Sequence, residues 1–107
     1  MIKYIETDEY KQIYCPDFHD GRIQKVFLKK IQQEIYVCEE CESLWFTLEG
    51  IFLERGDFFT GFLKDKGQIT KDGFDDWNSI LEYRDFVTFD EIKEIVDKHK
   101  IKVVVLE

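Results

Sequence analysis

The hydrophobic and polar positions in the first half of the chain read as β-structure. "RIQKVFL" (22–28) and "EIYVC" (34–38) are rich in β-branched and aromatic residues and flank the polar connection "KKIQQ", which predicts two antiparallel strands. "SLWFTL" (43–48) supplies a third. The second half is mixed. "DFFTGFLKDKG" (57–67) places Phe58, Phe59, Phe62 and Leu63 on one helical face and ends at Gly67, a suitable residue to stop a helix. A second short helix is predicted through "DDWNSILEY", where Phe74, Trp77 and Leu81 fall at helical spacing. The clearest helix covers 89–99: Thr88 and Glu91 have capping-box spacing, Ile92, Ile95, Val96 and His99 form a stripe, and Lys98 and Lys100 suit the C-terminal end of its dipole. After it, "IKVVVLE" (101–107) is a β-branched run too short for another helix. The pattern as a whole predicts an α+β fold, an antiparallel sheet packed with two or three C-terminal helices and closed by a final strand.

Composition narrows this without redirecting it. The 107 residues suit one domain, 1–107, and 44% hydrophobic content with ten Phe gives ample apolar material for a core. No internal repeat or low-complexity linker marks a second unit. The formal charge of -8 is spread over both halves, so the field repels phosphate backbones and anionic lipid and attracts basic partners. The same acidity also serves plain solubility. No run approaches a membrane helix and the opening lacks a signal-peptide pattern. Three Cys fit a disulfide framework poorly and a reducing compartment well, so a cytoplasmic location is expected.

The chemistry gathers in two stretches, "IYCPDFHDG" (13–21) and "YVCEECESLW" (36–45). Cys38 and Cys41 have the spacing with which a tight turn aims two sulfurs at one zinc ion, and Cys15 and His19 can supply the other half. The predicted hairpin returns the second pair beside the first. Pro16 stiffens the first turn, and Gly21 permits a positive φ where the chain bends into the strand. Cys15-Pro16, Gly21-Arg22-Ile23, and Cys38-Glu-Glu-Cys41 followed by Ser43 and Trp45 resemble a bacterial zinc ribbon over residues 13–46. That resemblance implies two Cys-x-x-Cys knuckles joined by a β-hairpin around zinc. This chain departs from it at Phe18, where the pattern has its second Cys, leaving His19 as a shifted ligand or a bystander. The alternative is a ribbon-shaped hairpin held by its core, with buried thiols and Phe18 filling the space of a metal.

Enzymatic motifs are missing. Glu39, Glu40 and Glu42 surround the Cys38–Cys41 pair with negative charge, which opposes the thiolate of a redox nucleophile, so a thiol oxidoreductase ranks third among the functions weighed. His99 sits on an apolar stripe, where a packing role fits better than a catalytic one. No nucleophile elbow, phosphate loop or zincin motif is present. The second function is a zinc-ribbon accessory protein of nucleic-acid machinery, for which Arg22, Lys25, Lys29 and Lys30 are the local basic residues. The first is protein binding. Small acidic domains with a degenerate ribbon and an α+β remainder resemble immunity proteins of contact-dependent and polymorphic toxin systems, and the resemblance implies neutralisation of a cognate basic toxin, such as a nuclease. An interface of that kind combines carboxylates with aromatic anchors. The stretches that fit are Glu39, Glu40 and Glu42; Asp72, Asp75, Asp76 and Trp77; and Asp57 with Phe58. Trp77, Phe58 and Trp45 also lie at core spacing.

Overall fold

A computed structural model describes residues 2–67 and 77–106, the last segment beginning with backbone alone at residues 77–78. The elements run β1 (Tyr4–Thr7), β2 (Ile23–Leu28), β3 (Gln33–Cys38), β4 (Ser43–Trp45), α1 (Gly50–Leu53), β5 (Asp57–Phe58), α2 (Phe59–Asp65), α3 (Trp77–Ile80), β6 (Leu81–Phe86), α4 (Phe89–His99) and β7 (Lys102–Val105). The expected α+β fold is the observed one. Among the described residues the strands form a five-stranded sheet in the order β5-β4-β3-β2-β6 and a two-stranded sheet of β1 with β7.

The predicted hairpin forms in antiparallel register, with Ile23 opposite Cys38 and Leu28 opposite Gln33. Strand alternation then sorts the side chains by face. Val26, Leu28, Ile35, Val37 and Leu44 join Phe59 and Leu63 of α2 in one apolar cluster. Ile23, Cys38 and Trp45 join Ile92 and Val96 of α4 in another, which also contains Cys15. The hairpin is thus packed on both faces, with the end that carries the cysteines set against the α4 cluster.

Two sequence expectations need correction. The helix expected over 57–67 starts only at Phe59, because Asp57 and Phe58 pair with Leu44 and Ser43 as a sheet edge. Phe58 is therefore exposed rather than on a buried helical face, while Gly67 takes the left-handed φ of 67° expected after the helix end. The second helix stops at Ile80: Leu81–Phe86 is a strand that occupies the free edge of β2, with a register shift between Gln24 and Val26. Phe74 lies outside the described residues. The final strand forms as expected, and it pairs in parallel with β1, Tyr4 opposite Lys102 and Thr7 opposite Val105.

Helix α4 matches its sequence signature. Thr88 and Glu91 form the capping box, with the Thr88 N–H donating to Glu91 Oε2 at 3.1 Å, and Lys100 closes the other end at a left-handed φ of 53°. Ile92 and Val96 are buried, and His99 Nε2 lies 2.9 Å from Glu49 Oε1. Thr88→Ala is expected to lower stability by about 1 kcal/mol, read as a shift of the urea midpoint, because a helix-terminal N–H loses its acceptor. Among the described residues no helix is long and apolar enough to cross a membrane.

Candidate metal centre and acidic face

The two cysteine-bearing turns meet at the open end of the hairpin. The Cys15 N–H donates to Gly21 O at 2.7 Å, the His19 N–H to Cys15 O at 3.0 Å, and the Glu39 N–H to Arg22 O at 3.0 Å. These bonds fold residues 15–21 over the end of β3. Gly21 makes the approach possible, although not as the sequence implied. Its φ is not positive; it is His19 that takes the left-handed conformation, at 56°. At Gly21 an added Cβ would lie 2.5 Å from Glu40 Cγ and 2.8 Å from Glu39 Cγ, so only a residue without a side chain lets the two turns close.

Closure brings Cys15, Asp20, Cys38 and Cys41 together, with one donor atom from each lying within 4.8 Å of all the others. The Cys15 and Cys41 sulfurs are 3.7 Å apart, and the Cys38 sulfur is 3.3 Å from Asp20 Oδ1. Three cysteines and an aspartate in this arrangement can hold a metal ion. Both turns present their first sulfur in the same way. The backbone N–H groups of Asp17 and Phe18, two and three residues on, favour the Cys15 thiolate, and those of Glu40 and Cys41 favour the Cys38 thiolate at the same offsets. The Cys41-to-Cys38 bond is 3.4 Å. The two turns are thus alike at their first sulfur, although Phe18 stands where a Cys-x-x-Cys spacing would put a second cysteine.

His19 is not part of this group. Its Nδ1 is 2.5 Å from Glu6 Oε1, and its ring stacks on Tyr4 with centroids 5.7 Å apart. Asp20, which sequence reasoning passed over, stands in the fourth place. Nor does Phe18 fill the space between the sulfurs: its side chain is 62% exposed. Cys15 and Cys38 are buried and Cys41 half-buried, all three as free thiols. The Cys38 hydrogen bond holds the Cys15 thiol below its ordinary range and, from the donor side, raises that of Cys38, whose burial adds to the rise. Burial also raises Cys41.

The predicted partner-binding residues divide into two groups. Glu39, Glu40, Glu42, Asp57 and Phe58 come together around the second knuckle. A cleft of about 380 Å³ is lined by Asp17, Phe18, Glu42, Arg55, Asp57 and Phe58. A neighbouring one of about 610 Å³ is lined by Glu39, Glu40, Cys41, Glu42 and Tyr83. Glu42 lines both. Phe18, Phe58 and Tyr83 expose 62%, 60% and 57% of their surface, so each cleft has an exposed aromatic ring beside carboxylates. Glu39 is partly neutralised, since Arg22 Nε donates to its Oε2 at 2.7 Å and holds the carboxyl below its usual range. Asp72, Asp75 and Asp76 lie outside the described residues, and Trp77 begins α3.

One hydrogen-bond chain links the centre to the first cleft. The Cys41 S–H donates to Ser43 Oγ at 3.3 Å, the Ser43 hydroxyl to Asp17 Oδ2 at 3.0 Å, and the Gly56 N–H to the same carboxylate oxygen at 3.1 Å. Asp17 therefore ties the wall formed by residues 54–58 to the knuckles. With this geometry in view, no family model, curated protein or solved structure matches the chain.

Proposed function

We propose that this chain is a cytoplasmic binding protein, not an enzyme, that docks a basic protein on the acidic, aromatic face around its second knuckle, with a zinc ion bracing the scaffold beneath. The observation that carries the reading is the pair of adjoining clefts that share Glu42 and are edged by Phe18, Phe58 and Tyr83. Exposed aromatic rings beside carboxylates are the anchors of a surface that receives cationic side chains, the rings through apolar area and cation–π contact, the carboxylates through charge. The first cleft sets three carboxylates against the one guanidinium of Arg55. The class of protein that this face fits best is an immunity protein, which neutralises a cognate toxin. A nuclease toxin is the partner of choice, because its substrate cleft is basic and carboxylates can occupy it as phosphates would.

The basic residues on the hairpin weigh against the nucleic-acid alternative. Lys25 is ion-paired with Glu91 of α4, and Arg22 is held by Glu39 while stacking 4.1 Å above the Phe86 ring. The charges of these two residues are met by carboxylates of the chain itself, while Lys29 and Lys30 are exposed at the hairpin turn. A phosphate polymer approaching that face would have to displace carboxylates first.

Co-purification of the full chain from its native host, with mass analysis of what accompanies it, tests the reading. The expected result is one cationic protein, released by raised salt. Glu42→Lys with Asp57→Lys should weaken that capture at least about 100-fold, as reversing charges at a desolvated contact does. A chain that emerges alone yet retains nucleic acid through physiological salt overturns the proposal in favour of the accessory-protein reading.

A further inference from the structure

The zinc-ribbon pattern leaves its fourth ligand unassigned in this chain, because Phe18 stands where the second cysteine of the first knuckle belongs. We infer that Cys15, Cys38 and Cys41 as thiolates and Asp20 as a carboxylate form a tetrahedral Zn²⁺ site, with Asp20 as its solvent-side ligand. The inference rests on the zinc brace of the reading above but not on its partner.

Distances come first. With Zn–S bonds of about 2.3 Å, two sulfurs of a tetrahedral site stand about 3.8 Å apart, and with Zn–O near 2.1 Å a sulfur and an oxygen stand about 3.6 Å apart. The Cys15–Cys41 separation is 3.7 Å and the Cys38–Asp20 separation 3.3 Å, so two of the six edges are close to those of that tetrahedron. The other four are no longer than 4.8 Å, which leaves the donors to draw in around a single ion.

Chemistry then selects the ion. Three soft thiolates with one carboxylate and no imidazole favour Zn²⁺ over Mg²⁺ or Ca²⁺, which require oxygen shells. Binding displaces the three thiol protons and leaves a site of charge −2. The backbone N–H groups of Asp17, Phe18, Glu40 and Cys41, aimed at the Cys15 and Cys38 sulfurs, and that of Ser43, aimed at Cys41, spread this charge.

The backbone explains why the ligand is Asp20 rather than its neighbour. The left-handed turn at His19 sends that imidazole to Glu6 and Tyr4, while Asp20, the next residue, faces the sulfurs. Asp20 reaches around the gap that Phe18 leaves in the knuckle. It is an exposed residue, in contrast to the buried Cys15 and Cys38, so the oxygen ligand closes the site from the solvent side.

The test is titration of the reduced, metal-free full chain with Co²⁺, followed by displacement with Zn²⁺. The expected result is one ion per chain, with the visible bands of tetrahedral cobalt and thiolate-to-metal charge transfer. Asp20→Ala should weaken Zn²⁺ binding at least about 100-fold, since a lost ligand costs no less than a lost outer-shell partner. Asp20→Cys should tighten it and strengthen the charge-transfer band by a fourth thiolate, while His19→Ala leaves spectrum and affinity unchanged. Circular dichroism of each variant separates ligand loss from misfolding. Loss of binding in His19→Ala with retention in Asp20→Ala overturns the assignment, as does a six-coordinate cobalt spectrum or no binding at all. A positive titration stands even if no basic partner is ever captured, and partner capture stands if the titration fails.

Discussion

Trp45→Ala is expected to destabilise the protein by about 3–5 kcal/mol, the range for removing a large aromatic ring from a packed core. Trp45 is 2% exposed and packs in the cluster that contains Cys15, Cys38, Ile92 and Val96. It sits opposite Tyr36 on β3, and its indole N–H donates to Glu54 O at 3.1 Å, which fixes the turn between α1 and β5. The substitution therefore opens a cavity where the sheet, the knuckles and α4 meet. Against a total stability of about 5–15 kcal/mol, this is a large fraction of the whole. Urea unfolding followed by circular dichroism should show a much lower midpoint with little change in slope. Trp45→Phe, which keeps most of the apolar area and loses the hydrogen bond, should cost about 1–2 kcal/mol. A loss below about 1 kcal/mol in the alanine variant would contradict the burial of this ring.

How much of this could be read from the sequence depended on how local the signal was. Helix α4 was legible because its cap, its stripe and its C-terminal charges all lie within residues 88–100 and agree with one another. The hairpin was legible for a similar reason, since two β-rich runs with a short polar connection have few other ways to pair. Strands whose existence depends on a distant partner were not. Tyr4–Thr7 is a strand only because β7 lies beside it, nearly a whole chain length away, and Leu81–Phe86 is one because β2 had a free edge. Taken alone, the spacing of Trp77 and Leu81 reads equally well as a turn of helix, and tertiary pairing decided otherwise.

The site shows the same division. The sequence identified the three cysteines and brought their turns together, because hairpin geometry follows from strand pairing. It did not identify Asp20. In a chain with 23 acidic residues a single aspartate carries no signal, and His19 is by type the stronger ligand. Only the sign of φ at His19 separates the two, and a positive φ at a histidine leaves little trace in sequence. The acidic docking residues were legible in part. Glu42 and Asp57 lie 15 positions apart in the chain, and the β4–β5 pairing that places them on one cleft depends on Phe58 being in a strand rather than in the helix its spacing predicts.

Chelation of the reduced protein is the second large effect expected. A ligand that binds only the folded chain at about a thousand times its dissociation constant stabilises it by about 4 kcal/mol. For a domain of this size that corresponds to a fall in melting temperature on the order of 15 °C when the ion is removed. The loss should be unevenly distributed. Cys15 and Cys38 belong to the α4 cluster, whereas Val26, Ile35, Leu44 and Leu63 belong to a separate one that contains none of the proposed ligands. Amide hydrogen exchange should therefore rise first at residues 15–23 and 38–43, with the strands around Ile35 still protected. Cys38→Ser should reproduce the chelated state, because it removes one of the three thiolates that would hold the ion. Since Ser43 and Asp17 join the knuckles to the wall of the first cleft, the same treatment should also weaken capture of a basic partner. Unchanged melting after exhaustive chelation of a reduced sample would leave the three thiols as core residues alone and remove zinc from the account of this fold.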